Sequence, residues 1–126
     1  MMNFDKMLEA FFDAIKQRDF GRLLSVVSID EDVSLILLNG AYMSGRIPVT
    51  NLHSAWLADP DWLMDFKILR TVETSEMGFA LLLVDYSDPT YGDQPYAQKH
   101  YLSLVFVKRD GQWFLMHDQT TVGQEG

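Results

Sequence analysis

Two residues of this chain combine a reactive side chain with a position at the end of an apolar run. Asp85 follows the run LLLV, and His117 follows FLM. A carboxylate among apolar neighbours has a raised pKa and can act as a base at neutral pH. A histidine can act there as acid or base because its ordinary pKa lies near neutrality. We therefore predict that Asp85 or His117 transfers a proton in a pocket.

Each of these residues also has a purely structural interpretation. Asp85 is expected to share a sheet face with Arg70, and a buried ion pair between them would lower the carboxyl pKa instead of raising it. His117 could be a core histidine that donates a hydrogen bond to a backbone carbonyl, since a single histidine without a paired acid is commonly structural. The sequence leaves both interpretations open for each residue.

The last hairpin decides which side chains share the predicted pocket. Its two apolar strands flank Asp110-Gly111, a pair that favours a two-residue type I′ turn. With that turn, Leu104 would lie opposite His117. Asp118 would face away from the pocket and reach it only through a β-bulge. Because side chains alternate along a strand, the pocket face would carry His100, Leu102, Leu104, Phe106, Leu115, His117 and Gln119.

A second predicted hairpin joins a strand from Trp62 to Thr74 to a strand from Phe79 to Tyr86. A simple register would pair Arg70 with Leu83 and place Asp85 on the same, more buried face. We therefore expect Asp85 and His117 to be catalytic residues in a mainly apolar pocket. The residues expected to bind a ligand there are Trp56, Phe66, Arg70, Leu83, His100, Leu104, Leu115 and Gln119.

The remaining elements are helices and short strands that position these hairpins. The sequence predicts three helices from apolar residues at helical spacing and from capping residues. It also predicts a first strand, and turn-forming residues predict a connecting loop from Ser87 to Tyr96. The order helix, helix, two strands, helix, four strands predicts an α+β domain whose sheet is mostly antiparallel and has about six strands. The predicted bounds are Phe4 to about Arg18, Phe20 to Val27 and Pro48 to Asp59 for the helices, and Val33 to Leu38 for the strand.

The composition of the chain excludes several classes of chemistry and of binding partner. The chain has 126 residues, no cysteine and a net charge of −8. This length predicts one domain over residues 1–126, and the absence of cysteine excludes disulfides and thiolate chemistry. The acidic balance argues against nucleic acid and anionic membranes as partners. The three histidines lack metal-site spacing. We find no signal peptide or membrane span and predict a cytoplasmic protein without metal or cofactor.

Three runs of the chain carry a resemblance to a known superfamily. They are RDFGRLLSVV at Arg18–Val27, SGR at Ser44–Arg46 and VKRDGQWFLMHDQTT at Val107–Thr121. With the element order, they resemble the nuclear-transport-factor-2-like superfamily, which includes ketosteroid isomerase, scytalone dehydratase and SnoaL-like polyketide cyclases. The last run resembles the W-x-x-x-H ending of SnoaL-like and kinase-association-domain relatives, with His117 as its histidine. Many relatives have a second histidine where this chain has Gln119.

The resemblance implies a cone, in which a curved sheet wraps around the first helix and leaves a pocket at its wide end. It also implies a homodimer through the back of the sheet, which the apolar residues of the last hairpin would form. The superfamily uses its pocket for isomerases, dehydratases, cyclases, hydrolases and non-catalytic binding. Three functions therefore stay open: binding of an apolar small molecule, proton transfer on a carbonyl substrate with Gln119 or a tyrosine stabilising the oxyanion, and a non-catalytic association role.

Overall fold

The computed structural model describes residues 3–88 and 96–123, and it confirms the predicted α+β fold. The predicted loop from Ser87 to Tyr96 is strand at both of its ends, and its middle, residues 89–95, lies outside the described residues. The first strand begins at Ser28, earlier than predicted. The elements are α1 (Phe4–Lys16), α2 (Phe20–Val26), β1 (Ser28–Ile36), β2 (Tyr42–Ser44), α3 (Arg46–Ala58), β3 (Leu63–Glu73), β4 (Met77–Asp88), β5 (Tyr96–Arg109) and β6 (Gln112–Val122).

The strands form one curled sheet in the order β2-β1-β6-β5-β4-β3. Sequential strands pair antiparallel as hairpins, since short turns join β1 to β2, β3 to β4 and β5 to β6. Among the described strands, the single parallel pair joins β1 to β6, because the chain returns to β1 only after α3 and three further strands. The sheet is thus mostly antiparallel, as predicted.

Helix α1 lies against the concave face of the sheet. The Asn3 side chain caps the helix by accepting a backbone N–H at 2.9 Å. The ring of Phe4 contacts Phe106 on β5 at 5.8 Å between centroids, and the ring of Phe12 contacts Phe66 on β3 at 4.3 Å. The helix therefore crosses the sheet from β5 to its β3 edge. Its buried side chains are Phe4, Met7, Leu8, Phe11, Phe12, Ala14 and Ile15.

A β-bulge in β6 changes the face of every residue that follows it. Phe106 pairs with Leu115, but the next residue of β5, Val105, pairs with His117. Met116 is therefore an extra residue, and the alternation of side chains is inverted beyond it. Leu104 consequently pairs with Asp118. The predicted pairing of Leu104 with His117 is wrong.

The register between β3 and β4 also differs from the prediction. Arg70 pairs with Leu81 and not with Leu83, and Asp85 pairs with Asp65. The turn is tighter than predicted, with Thr74 donating its backbone N–H to the Met77 carbonyl at 2.8 Å. Because the run FALLLVDY is apolar at nearly every position, alternation could not identify its buried face. That face carries Ala80, Leu82 and Val84.

Helix α1 packs closely on strand β4 at Gly78, where a side chain would not fit. A Cβ atom there would lie 2.3 Å from a ring carbon of Phe4, whose side chain is fully buried. We expect Gly78→Ala to lower the free energy of unfolding by about 1–3 kcal/mol, because the Phe4 ring is packed and cannot move aside. Urea denaturation of the two proteins measures this difference.

Gly21→Ala is the matched control for that substitution. Its Cβ atom would meet only the Asp19 carboxylate at 3.7 Å, and alanine favours helix α2 by up to about 1 kcal/mol. The prediction for Gly78 would be refuted if both variants unfolded at the same urea concentration as the parent protein.

Candidate functional site

A cavity of about 750 Å³ opens between the concave face of the sheet and helices α1 and α3. Apolar side chains form most of its wall, including Phe11, Ile15, Leu52, Trp56, Leu102 and Leu104. The polar side chains of the wall are Asn39, His53, Asp59, Tyr86, Asp88, Gln98, His100, Asp118 and Thr120. A mainly apolar cavity with a few convergent polar groups is the usual form of a small-molecule site.

A shallower groove of about 830 Å³ lies outside the fold, between α1 and the edge strand β3. Most of its charged side chains pair with one another or with neighbours, as Arg22 does with Asp13 and Lys16 with Asp65. These charges are solvated and contribute little specificity. The cavity, with its buried titratable groups, is therefore the candidate site.

The cavity brings together His53 of α3 and Asp118 of β6. Val49, His53 and Leu57 are buried at helical spacing, so α3 directs His53 inward. The bulge in β6 directs Asp118 inward. The Nε2 atom of His53 lies 3.6 Å from Oδ2 of Asp118, and Nδ1 lies 2.9 Å from the Val49 carbonyl oxygen. The His53 side chain is 8% exposed and that of Asp118 is 14% exposed.

The Val49 carbonyl determines which nitrogen of His53 carries a proton. A carbonyl oxygen only accepts, so Nδ1 must donate, and in the neutral ring Nε2 would direct a lone pair at the Asp118 carboxylate. A second proton on Nε2 removes this conflict. Burial is the largest single effect on the pKa of His53, and it acts to lower that pKa. Three other effects raise it, namely the hydrogen bond to Asp118, the negative charge of Asp118 and the hydrogen bond to the Val49 carbonyl. Together they outweigh burial, so the pKa of His53 is raised.

His100 has the opposite electrostatic environment in the same cavity. It lies on the inner face of β5 and is 7% exposed. Burial lowers the pKa of His100 below its ordinary value of 6.5, because desolvation disfavours the charged imidazolium. Its ring stacks on Tyr86 at 5.7 Å between centroids. The neutral imidazole of His100 therefore persists to lower pH than that of an exposed histidine.

Stacked aromatic rings hold one wall of the cavity rigid. Trp56 stacks on Trp62 at 4.4 Å between centroids, and Trp62 lies 6.0 Å from Tyr86. The indole N–H of Trp56 donates to the Tyr86 hydroxyl oxygen at 3.2 Å. The guanidinium of Arg18 covers the far side of Trp62 at 3.9 Å and donates to the backbone carbonyls of residues 59 and 62. The rings of Trp56 and Tyr86, which line the cavity, are thus held in place by packing against Trp62.

The structure brings only three of the predicted site residues into this cavity, namely Trp56, His100 and Leu104. Phe66 lies on the concave face but packs against Phe12 beside the outer groove. Leu115 is buried in the core and does not line the cavity.

The other predicted site residues lie on the convex face of the sheet. Leu83 and Asp85 lie there because they alternate with the buried Leu82 and Val84. Arg70 lies there because it pairs with Leu81 of the same face, and the bulge in β6 directs His117 and Gln119 there. Arg70 and Asp85 are exposed, so the predicted burial of Asp85 is wrong. His117 contacts neutral partners, with Nδ1 2.7 Å from the Ser34 hydroxyl and Nε2 3.3 Å from the Gln119 amide oxygen. The predicted placement of all five residues in the pocket is wrong.

Sequence reasoning missed the pair of His53 and Asp118. His53 stands at the edge of the apolar face of α3, where it is equally compatible with a surface position. Asp118 could reach the pocket only with a bulge, and the apolar triplet Phe114-Leu115-Met116 does not alternate and so contains no signal for one.

Within residues 3–88 and 96–123, no group of three or more His, Cys, Asp or Glu side chains is arranged to hold a metal ion. No helix in the described part of the chain is long and apolar enough to cross a membrane.

The raised pKa of His53 predicts a pH-dependent contribution to stability. A histidine whose folded pKa exceeds its unfolded value stabilises the fold fully below about pH 6.5, and this contribution is lost as pH rises through the folded pKa. We expect Asp118→Asn to cost about 1–3 kcal/mol at pH 6 and less at pH 8. At pH 8, where more of His53 is neutral, the side-chain amide that replaces the carboxylate at position 118 donates a hydrogen bond to the Nε2 lone pair. This hydrogen bond offsets the cost and reverses its sign if it is the larger of the two. Urea denaturation at both pH values measures it.

Asp85→Asn is the matched control, because it removes the same charge from an exposed position. The lowered pKa of His100 acts in the opposite direction, since its destabilising effect appears as pH falls through 6.5. This effect is present in all of the proteins and cancels in the difference between them. A cost for Asp118→Asn that is equal at pH 6 and pH 8 would contradict the assignment of the proton to the His53–Asp118 pair.

Comparisons with known proteins agree with this fold. The solved structures that match include a provisionally named calcium/calmodulin-dependent protein kinase type II association domain from Thiobacillus denitrificans, with 14% identity, a TM-score of 0.76 and coverage of 97% of this chain and 96% of that one. Another is a provisionally named dehydratase of the nuclear-transport-factor-2-like family from Streptomyces avermitilis, with 17% identity, a TM-score of 0.74 and coverage of 96% and 94%.

A third is a ketosteroid isomerase-like protein from Erwinia carotovora atroseptica, with 12% identity, a TM-score of 0.72 and coverage of 96% of this chain and 94% of that one. At these identities the likeness concerns the fold alone. No curated protein sequence matches the chain. Residues 5–122, however, match the model of the SnoaL-like domain. The chain therefore belongs to the SnoaL-like family of the nuclear-transport-factor-2-like superfamily.

Proposed function

We propose that this protein binds an apolar small molecule in its cavity and transfers a proton on that molecule, with His100 as the base and the His53–Asp118 pair as the acid. The observation that carries this proposal is the opposite direction of two pKa shifts in one cavity, raised for His53 and lowered for His100. Titratable groups whose environments separate their pKa values are the usual mark of an acid and a base.

The reaction proceeds on a carbonyl compound without a cofactor. The neutral His100 removes a proton from the carbon next to the carbonyl group, and the imidazolium of His53 donates its Nε2 proton to the carbonyl oxygen, so an enol forms. Where a carbon–carbon double bond is conjugated with the enol, the protonated His100 delivers its proton to the far carbon and the enol O–H returns its proton to His53, which restores the carbonyl and gives an isomer with a shifted double bond. If a hydroxyl group is the leaving group, His53 protonates it and water departs. Asp118 stabilises the imidazolium before the transfer.

The cavity wall supports this chemistry by excluding water and fixing a flat substrate. Tyr86 replaces the predicted Gln119 as the polar group near a substrate oxygen, because its ring is held in the wall by Trp56 and His100. The names of two similar structures, a dehydratase and a ketosteroid isomerase-like protein, agree with the proposed reaction class. The cytoplasmic location stays a prediction from the sequence.

The proposed proton transfer can be tested without knowledge of the natural substrate. A panel of apolar ketones such as 2-tetralone, incubated with the protein in D2O, should exchange its α-hydrogens for deuterium faster than in buffer. We expect His100→Gln and His53→Gln to slow the catalysed exchange by about 10²–10⁴-fold, since each removes one partner of the transfer. Proton NMR measures the exchange rate.

His117→Gln and Asp85→Asn are the controls, because both residues lie on the convex face. They also test the roles first predicted from the sequence. Loss of exchange in His117→Gln would reject the proposed site in favour of the original prediction. Ketone binding without any exchange would leave a binding protein and reject catalysis.

We also propose that the protein forms a homodimer through the convex face of its sheet. Two similar structures carry the name of a kinase association domain, which agrees with self-association. Exposed or half-exposed apolar side chains that lie together on one face favour burial against a partner. On this face they are Val72, Phe79, Leu81, Leu83, Val105, Val107 and Phe114.

A charge in the centre of this face should separate the subunits. We expect Val105→Lys to weaken self-association by about 100-fold or more, because a buried unpaired ammonium costs several kcal/mol. Sedimentation velocity over a range of protein concentrations measures the change. Ile47→Lys is the control, since Ile47 lies at the start of α3 and is 75% exposed. A monomeric parent protein would refute the proposed dimer.

A further inference from the structure

Arg18 has a backbone conformation that is unusual for a residue with a long side chain. It follows the C-cap of α1 and has a φ of 56°. Two backbone hydrogen bonds of 3.0 Å close the turn, from Arg18 to the Ile15 carbonyl and from Asp19 to the Ala14 carbonyl. Glycine or asparagine is the usual residue at this position of a helix end. An arginine here therefore points to a role for its side chain.

The guanidinium of Arg18 binds the short segment between α3 and β3. Its Nη1 atom donates to the Asp59 carbonyl oxygen at 3.2 Å, and its Nη2 atom donates to the Trp62 carbonyl oxygen. Its central carbon lies 3.9 Å from the centroid of the Trp62 ring. Within residues 3–88 and 96–123, Arg18 forms no salt bridge with a carboxylate. These contacts therefore fix the position of Trp62 and of the residues just before it.

Trp62 connects Arg18 to the wall of the cavity. Trp62 is 2% exposed and is not among the described residues that line the cavity. Its indole N–H donates to the Trp56 carbonyl oxygen at 2.7 Å, and its ring packs on the rings of Trp56 and Tyr86. The Tyr86 ring in turn stacks on His100, the proposed base. A shift of Trp62 would therefore move the rings that surround a substrate.

We propose that Arg18 is a positioning residue for the proton transfer. It holds Trp62 against Trp56 and Tyr86, and these rings keep His100 in the orientation that the transfer needs. The inference rests on the proposed function, and it adds a residue that does not line the cavity. A displacement of about 1 Å at a reacting group costs about 100-fold in rate. Loss of Arg18 should therefore lower kcat, while KM changes little because the apolar wall remains.

Deuterium exchange of 2-tetralone, measured over a range of ketone concentrations, separates kcat from KM. We expect Arg18→Ala to lower kcat by about 10–100-fold and to leave KM within about threefold of the parent value. Alanine and arginine have similar steric costs at positive φ, so the substitution retains the turn after α1. Arg18→Lys should recover part of the rate, because an ammonium group can cover the Trp62 ring and donate to one carbonyl.

Arg22→Ala is the matched control, because Arg22 pairs with the Asp13 carboxylate at 2.6 Å outside the cavity. Its loss should leave kcat unchanged. Circular dichroism gives a readout that needs no substrate, since the stacked indoles of Trp56 and Trp62 produce an exciton couplet that depends on their mutual orientation. This couplet should decrease in Arg18→Ala and stay unchanged in Arg22→Ala.

A double-mutant cycle tests whether Arg18 acts through Trp62. Trp62→Leu alone should lower kcat, and Arg18→Ala in that background should have less than about threefold further effect, because the side chain on which Arg18 acts is absent. Urea denaturation shows whether each variant is folded under the assay conditions. If Arg18→Ala is unfolded there, Arg18→Lys takes its place in the cycle.

The outcomes separate this inference from the proposed function. If the parent protein exchanges no ketone, the proposed proton transfer fails, and the inference fails with it. If the parent protein is active and Arg18→Ala has the same kcat and the same couplet, only the inference is overturned. An equal loss of kcat in Arg18→Ala and Arg22→Ala would also overturn it, because a general loss of stability would then be responsible. Independent, fully additive effects of the Arg18 and Trp62 substitutions would likewise contradict it.

Discussion

The candidate site depends on a single extra residue in β6. Met116 has no partner position on β5, so every later side chain of the strand changes face. Without this bulge, regular alternation would direct His117 and Gln119 into the cavity and Asp118 to the convex face. With it, Asp118 meets His53 inside, and His117 meets Ser34 outside. One residue of register thus determines which titratable groups the cavity contains.

The His53–Asp118 pair shows that the neighbours of a buried histidine determine whether its pKa is raised or lowered. Burial alone would lower the pKa of His53, as it does for His100 in the same cavity. The Val49 carbonyl and the Asp118 carboxylate reverse that effect, because both require a proton on the nitrogen that faces them. His100 instead stacks on Tyr86. The pKa values of these two buried histidines are therefore shifted in opposite directions.

The fold was predictable from the sequence because local signals specify its elements. The Asp110-Gly111 turn and the capped, amphipathic helix α1 form as expected. The faces of the strands were not predictable, because the runs in β4 and β6 are apolar on both sides. Such runs contain no alternation from which a register could be read. One extra residue in β6 and the wrong choice of buried face in β4 then displaced most of the predicted site residues.

Each strand of the sheet contributes side chains to two different surfaces, one on the concave face and one on the convex face. The concave face carries the side chains around the cavity, and the convex face carries an apolar area that ends in the polar trio of Ser34, His117 and Gln119. A substitution on one face changes only side chains that point away from the other face. The fold is retained in structures that are only 12–17% identical to this chain. The cavity's chemistry then follows from its few polar residues rather than from the fold.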